Sequence, residues 1–477
     1  MESLRIHATQ KRDKVPFEPI DPGRVRMYVC GPTVYDDCHI GHARPAVCFD
    51  TIRRYLEYAG YAVLFISNVT DIDDKIIQRS NELGVSWSAL AQRYQDAYER
   101  DMALLGVRSP TIRPKATEHI PEMIALVQQL VDRGAAYSTD RGVWFDVTAF
   151  PEYGKLSGRT ADDEATEHRV EQDADKRHPQ DFALWKASKP GEPAWESPWG
   201  PGRPGWHIEC SAMSGKYCDF QLDIHGGGAD LTFPHHENEV AQSEAATGRA
   251  FVRYWMHNGF ITVPKGDGEE EEKMGKSKGN AFWLKDVFAD FAPAAVRLWI
   301  LGTHYRMPLT YAPNSLETAT AGLDRIYNAV EALERALGDG GLAGASGDAG
   351  DLGPRAADLD RRFRDAMNDD FNPPQALAVV YDAVSTANTA VRDDAPAAGL
   401  AALYRGLLGH LGVLGLPPQR PQTAGGGLDA VMPILLEARA LARKEKQFAI
   451  ADAIRDGLNG IGIEIADRPE GATWTQK

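Results

Sequence analysis

The sequence predicts an α/β protein: a doubly wound parallel sheet, followed by an all-α helical bundle and a small C-terminal module. Three observations lead there. Strand and helix patterns alternate between residues 24 and 83, apolar strand-like runs return at 221–225 and 252–256, and beyond Asn314 the periodicity is helical throughout. Alternation at this spacing is the mark of parallel strands joined by crossover helices.

Taken in order, residues 24–30 read as a strand and lead into the loop Gly31-Pro32-Thr33-Val34-Tyr35. A helix fits 41–58 and is ended by Gly60; a second strand fits 63–69 and a second helix 71–83. Ser86 is a good N-cap for a helix over 87–105, another helix fits 121–132, and 143–147 reads as a strand. Residues 160–180 are rich in Asp, Glu, Arg and His and read as a surface insertion, within a connective insertion spanning about 110–205. The strands at 221–225 and 252–256 then form the returning half of a split doubly wound fold.

Helices follow over 316–337, 356–367, 373–391 and 401–414, with a Gly/Ala/Asp linker at 338–353. A second linker at 417–427 precedes a helical stretch over 428–458 and a small unit ending at Trp474. The expected domains are therefore 1–313, 314–416 and 428–477.

A chain of 477 residues, 43% hydrophobic and 25% charged, has the composition of a soluble multidomain enzyme. Its net charge of −16 argues against non-specific coating of nucleic acid, which depends on neutralising phosphates, but is compatible with a folded RNA held by local basic patches. The N-terminus has no signal-peptide core, and no run of about 18 apolar residues suggests a membrane span. Five cysteines, an odd number, do not make a disulfide framework. These features place the chain in the cytoplasm, away from membranes, with reduced thiols available to a metal.

His39-Ile40-Gly41-His42 occupies the first strand-to-helix turn, where phosphates dock against a helix N-terminus. Two imidazoles there can donate to phosphoryl oxygens, and Gly41 leaves room for an adenine ring on bare backbone. Alone, the tetrapeptide reads equally well as a helix start with two exposed histidines. Lys273-Met274-Gly275-Lys276-Ser277-Lys278-Gly279-Asn280 lies in an acidic, Gly-rich loop after the last strand. Lys273 and Lys276 could close over a polyphosphate and stabilise charge on leaving pyrophosphate, although a lysine-rich loop by itself is usually only solvated charge.

In His235-His236-Glu237-Asn238-Glu239, His235 and Glu239 stand four apart and share one helical face, whereas His236 has no ligand-type residue four positions on. Cys30 ends the first strand, and Cys210 follows Trp206-His207-Ile208-Glu209. Two thiolates, an imidazole and a carboxylate would suit Zn²⁺. Spacing alone does not bring the four together, and buried apolar cysteines beside a polar helix are the simpler reading.

In this order and frame, the two nucleotide motifs resemble the HIGH and KMSKS signatures of class I aminoacyl-tRNA synthetases, with Gly275 where the family pattern usually has Ser. Residues 28–42, Thr70-Asp71-Ile72-Asp73-Asp74-Lys75, 205–214 and 223–239 resemble the signature blocks of cysteinyl-tRNA synthetases, and the likeness runs nearly end to end. The resemblance implies a Rossmann-like catalytic domain and a ligase that uses ATP with Mg²⁺ to activate L-cysteine for transfer to tRNA(Cys), acting as a monomer. It implies catalytic roles for His39, His42, Lys273 and Lys276, and ATP binding at His39, Gly41, His42 and Lys276. It also implies one Zn²⁺ per chain on Cys30, Cys210, His235 and Glu239, binding the substrate sulfur. Gly31, Thr70, Trp206, His225 and Asp230 match pocket positions, Asp230 as a partner for the substrate ammonium.

Zinc is a physically apt choice. An apolar pocket separates serine from cysteine poorly, while a thiol ionises onto a metal far more readily than a hydroxyl. Cys38, Cys48 and Cys218 have no motif role and read as structural. Asp369-Asp370-Phe371-Asn372 opens a helix in the bundle, as in the anticodon-binding region of the family. The basic run 439–446, with Trp474, could contact an anticodon, or could be a solvated helix face and a capping ring. A related ligase that joins cysteine to an amino sugar is the main rival, and it lacks an extension like 315–477. A non-catalytic RNA-binding relative is a third reading, against which the HIGH histidines and the loop lysines argue.

Overall fold

The computed structural model describes residues 3–159, 175–264, 271–275, 279–338, 341–420, 426–460, 463–468 and 471–476. Residues 160–174 of the expected surface insertion and Lys276, Ser277 and Lys278 of the lysine loop lie outside the described residues. The chain divides into two compact units, Met1–Pro418 and Gln419–Lys477.

The first unit is built on four parallel strands: β1 (Arg24–Val29), β2 (Ala62–Ser67), β3 (Leu222–Gly228) and β4 (Val252–Asn258). Their order across the sheet is β4-β3-β1-β2. The chain leaves β1 toward one edge and returns through β3 toward the other, so the topological switch falls between β1 and β3. At such a point the connections diverge and open a crevice at the carboxyl ends of the strands. Tyr28 pairs with His225 and Val29 with Gly226 across it, which brings Cys30 and His225 to its floor.

Three helices border that crevice: α1 (Ile40–Tyr58), α2 (Trp206–Cys218) and α3 (Glu237–Thr247). α1 buries Val47, Phe49, Ile52 and Leu56 against the sheet. The insertion between β2 and α2 carries its own antiparallel sheet, Ala136–Thr139, Gly142–Phe145, Phe182–Ala187 and Gly202–Pro204. That sheet and the helix Ile120–Asp132 pack around Val127, Val143, Phe145 and Leu184. Ser86 caps Trp87–Leu104 as expected, its side chain accepting from the Ala89 N–H at 3.2 Å.

Beyond the sheet come α4 (Pro313–Leu337), α5 (Leu352–Asn368), α6 (Pro373–Arg392) and α7 (Ala397–Leu414). α5 and α7 each start four residues before the position expected from periodicity. Phe363 and Leu411 of the bundle share one core with Phe49 and Leu56 of α1, so the division expected at residue 313 is not a break in packing. Buried Arg297 is a second tie: it donates to Asp50 Oδ2 at 2.6 Å and to the Leu414 carbonyl at 2.7 Å. α7 is long and apolar enough by length and composition to cross a membrane, but it carries Arg405 and His410 and half of it is buried, Leu400, Leu407 and Leu411 within the core.

In the second unit the single helical stretch expected over 428–458 is two helices, Gly426–Lys444 and Phe448–Gly460, separated at Lys446 with φ of 60°. A hairpin, Ile463–Arg468 and Gly471–Gln476, follows. Met432, Leu458 and Ile463 form its small core and Trp474 packs on it, which is the capping role. Arg439 of the basic run is buried, while Arg443, Lys444 and Lys446 are exposed.

Candidate functional site

Cys30 follows the last residue of β1, Cys210 lies on α2, and His235 and Glu239 flank the start of α3. Three separate stretches thus meet over the switch point, and the four ligand atoms all lie within 4.8 Å of one another. Cys30 Sγ is 3.6 Å from Cys210 Sγ and 3.5 Å from Glu239 Oε1, and His235 Nε2 is 3.1 Å from the same oxygen. Bonds of 2.0–2.3 Å to a tetrahedral zinc imply edges of about 3.3–3.8 Å between ligand atoms. These three edges fall in or just below that range and the other three lie within 4.8 Å, so the donor set can close on such an ion.

The expected regular helix through His235 is not what holds it. The backbone is kinked within Thr232–His236, with Phe233 extended, and the regular α-helix begins at Glu237. A second histidine also reaches the site. His236 Nε2 is 3.3 Å from Cys30 Sγ and 3.9 Å from Glu239 Oε1, three residues along rather than four. Cys30, His225, His236 and Glu239 therefore make a second possible ligand set. Cys30 and Glu239 are common to both; the set with Cys210 has two thiols and is the softer, better suited to zinc.

Electrostatics sharpen the picture. Burial pushes the Cys30 thiol up, and its retained proton, directed at Cys210, draws that thiol down to about 6. Burial works against ionisation of Glu239, but His225 and His235 outweigh it and hold the carboxyl near 2. Burial likewise works against charge on His235, yet hydrogen bonds to Cys210 and Glu239 raise it to about 10. The pocket thus favours the ionised forms of Cys210 and Glu239 and the protonated form of His235 together. Such a proton sits where a divalent cation would balance the anionic ligands better.

The supporting residues were mostly not foreseen. His225 donates from Nε2 to Glu239 Oε2 at 2.8 Å and stacks on Trp255. His207 Nδ1 lies 2.8 Å from His235 Nδ1, and His257 Nε2 lies 2.7 Å from His236 Nδ1. Asn68 accepts the Gly31 N–H at 2.8 Å and approaches Cys210 Sγ at 3.8 Å. The available signal was positional: Asn68 and His257 end or follow strands whose carboxyl ends line the crevice.

Of the other expected pocket residues, Gly31 is sterically required, since a Cβ there would stand 1.6 Å from the Asn68 carbonyl oxygen. Thr70 is buried and donates to Glu209 Oε2 at 2.7 Å. Trp206 is half-exposed, its ring 4.3 Å from that of His235. Asp230, expected to meet a substrate ammonium, here accepts from Lys273 Nζ at 3.0 Å. Cys38, Cys48 and Cys218 are buried and lie outside both ligand sets.

A cavity of about 430 Å³ adjoins the cluster and is lined by Cys30, Gly31, His39, His42, Asp230 and Lys273. His39 caps α1: its Nδ1 accepts the Gly41 N–H at 3.0 Å, and His42 Nδ1 accepts the His39 N–H at 3.1 Å. With both Nδ1 atoms accepting, each neutral ring carries its proton on Nε2, a donor suited to phosphate. The segment that follows the lysine loop is stitched to the same turn, Ile40 N–H donating to the Phe282 carbonyl at 3.0 Å and Leu284 N–H to that of Cys38 at 2.9 Å. A Cβ added at Gly275 would meet nothing within 4 Å, so the absence of the usual serine is not a packing requirement.

Residues 16–321 match the family described as tRNA synthetases class I (C) catalytic domain, and residues 362–416 match the DALR domain. The chain is 48% identical over 487 residues to a cysteine–tRNA ligase of Geobacter sulfurreducens, covering 100% of both chains. It is 50% identical to a cysteine–tRNA ligase of Alkalilimnicola ehrlichii, covering 99% of this chain and 100% of that one. Its fold is similar to that of Mycobacterium tuberculosis methionyl-tRNA synthetase in complex with methionyl-adenylate, with a TM-score of 0.60 at 17% identity over 85% of this chain and 93% of the other. With a catalytic-domain match over most of its length and near-complete coverage of relatives at about half identity, the chain belongs to the cysteine–tRNA ligase family of class I aminoacyl-tRNA synthetases.

Proposed function

We propose that this enzyme activates L-cysteine with ATP and Mg²⁺ to cysteinyl-adenylate and passes the cysteinyl group to the 3′ end of tRNA(Cys), as a cytoplasmic monomer. The observation that carries the reading is the convergence of Cys30, Cys210, His235 and Glu239 beside the cavity that His39 and His42 line. These four would hold one Zn²⁺. Bound there, zinc supplies a soft Lewis acid that takes a substrate thiol as thiolate and discriminates against a serine hydroxyl.

The chain's own residues supply the rest. Cys210 and Glu239 are anionic and buried, so they pre-form the anionic half of the site. His225 holds the second Glu239 oxygen, which fixes the carboxylate's rotation. Gly31 and Asp230 shape the space for the amino-acid backbone, and Thr70 and Trp206 support its walls. His39 and His42 offer Nε2–H donors to the phosphates, and Lys273, with Lys276 from the loop, stabilises charge on the departing pyrophosphate. Activation is then a matter of placing the cysteine carboxylate in line with the α-phosphate, rather than of acid–base chemistry.

The direct test is pyrophosphate exchange with each amino acid, with and without tRNA. Exchange dependent on cysteine, at least about 10⁴-fold above serine, and transfer to tRNA(Cys) are expected. Exchange with another amino acid, or coupling of cysteine to an amino sugar without transfer to tRNA, would overturn the reading.

A further inference from the structure

Asp370 lies between α5 and α6, in the stretch whose sequence reads only as a helix start. Asn372 does cap α6, its side chain accepting from the Gln375 N–H. Asp370 and Phe371 before it take φ of 64° and 48°, a left-handed conformation that side chains disfavour and that persists only where the surroundings impose it. The result is a fully buried carboxylate. Its Oδ1 accepts from the His7 N–H at 2.9 Å and the Tyr305 hydroxyl at 2.7 Å; its Oδ2 accepts from Arg306 Nε at 2.7 Å.

Tyr305 and Arg306 belong to a turn whose backbone is engaged elsewhere. The Tyr305 carbonyl accepts the Gly259 N–H at 2.8 Å. Arg44, two residues past His42 on α1 and itself buried, donates to the carbonyls of Phe260 at 3.3 Å, His304 and Tyr305 at 3.4 Å, and Met307. Among the described residues this guanidinium meets only carbonyls and no carboxylate, so its position follows the shape of the turn. Phe260 in turn carries the Lys273 ammonium 4.1 Å over its ring. Residues 304–307 therefore meet the HIGH helix directly through Arg44, and reach the strand Glu271–Lys273 through Gly259 and Phe260, which lead into its partner strand Ile261–Pro264; Asp370 grips them from the helical side.

We propose that Asp370 is a positioning residue for amino-acid activation: by fixing the 304–307 turn it sets the register between the HIGH helix and the strand bearing Lys273. The inference rests on the adenylate-forming reading above and deepens it. A carboxylate in the helical region then governs the rate of a reaction whose groups all lie in the α/β body.

The test compares Asp370→Asn, Tyr305→Phe and Asp369→Asn. Asp370→Asn keeps the shape but turns an amide NH₂ toward groups that are already donors. Tyr305→Phe deletes one hydrogen bond and keeps the ring. Asp369→Asn, next along the chain, alters only a half-exposed ion pair with Lys14. Cysteine-dependent pyrophosphate exchange is measured per titrated active site, with zinc content and Tm.

In Asp370→Asn, kcat should fall about tenfold or more while KM for cysteine stays within about twofold and zinc is retained, because alignment suffers and the amino-acid pocket does not. Tyr305→Phe should lower kcat about threefold in the same sense, and Asp369→Asn should match the parent enzyme. If Asp370→Asn does not fold, Tyr305→Phe carries the test. Loss of Tm and of active fraction with unchanged kcat per site in these variants would make Asp370 merely structural and overturn the proposal. Absence of cysteine-dependent exchange in the parent enzyme would instead remove the activity reading beneath it.

Discussion

Two buried clusters of charge in the first unit are built on opposite principles. Around Arg297, charge is matched and closed: the guanidinium meets Asp50 at 2.6 Å, the carbonyls of Leu414 and Leu105, and Thr51 Oγ1. Around Cys30 and Glu239, two thiols and a carboxylate are buried beside histidines, and among the described residues His225 Nδ1 and the Tyr28 hydroxyl, both buried, have no hydrogen-bond partner. A saturated cluster secures an interface, here that between α1 and the bundle. An unsaturated one, dry and beside a cavity, is organised for a group the chain does not itself contain. If that contrast is right, disabling one cluster should abolish function with the fold intact, and disabling the other should do the reverse.

The largest effect is expected at the metal-type cluster. Cys210→Ala or His235→Ala should take zinc from about one per chain to near none and abolish cysteine activation, while the protein stays folded by circular dichroism. Full zinc occupancy in both variants would remove these residues from the ligand set. Retained zinc in Cys210→Ala together with its loss in a His236→Ala variant would transfer the role to the second set.

Next comes the closed cluster. Asp50→Asn leaves Arg297 buried without its carboxylate and should cost about 3–5 kcal/mol of stability, read from denaturant midpoints, with zinc content per folded molecule unchanged. The same pair predicts an acid limit. Burial would raise the Asp50 carboxyl, but Arg297 and Arg54 outweigh it and hold it below its usual 3.8. A depressed carboxyl contributes stability that is complete above the unfolded value and is lost as pH falls through the folded one. The parent should therefore lose this contribution below about pH 4, and Asp50→Asn should show a flatter profile there. Parallel profiles would detach Asp50 from the acid response.

A smaller effect, about 10²-fold in the activation rate, is expected for His42→Ala and for Lys276→Ala, with binding of free cysteine little changed. A rise in KM for cysteine alone would mean that these residues serve the amino acid rather than the phosphates. The smallest effect on activation should come from removing residues after Pro418, where the second unit begins. Pyrophosphate exchange should stay within about threefold of the parent, while transfer to tRNA falls steeply, since distant binding energy serves to select and orient the acceptor. Unimpaired aminoacylation would deny the second unit a role in tRNA recognition.

By itself the sequence determined many local features: the strands and helices around the first crossover and in the bundle, the crossover spacing of a parallel sheet, and the two nucleotide motifs, while the candidate ligands Cys30, Cys210, His235 and Glu239 came from the family resemblance. These are readable because propensity, capping and side-chain periodicity act over a few residues. Ser86 and Asn372 cap helices almost where the pattern places them. What the pattern could not show was tertiary. Cys30 and Cys210 meet across 180 residues of chain, and only the pairing of β1 with β3 brings them to one floor. His236 joins the site through Cys30, a residue 206 positions away, and Lys446 lies at a break in a helix that periodicity would continue. Asp370 reads as a helix start and becomes a clamp because His7, Tyr305 and Arg306, far from it in sequence, supply the donors to its carboxylate, while the Arg5 carbonyl accepts its N–H. A buried polar group must find partners wherever the fold puts them, so its role is decided by packing between distant segments rather than by its neighbours in the chain.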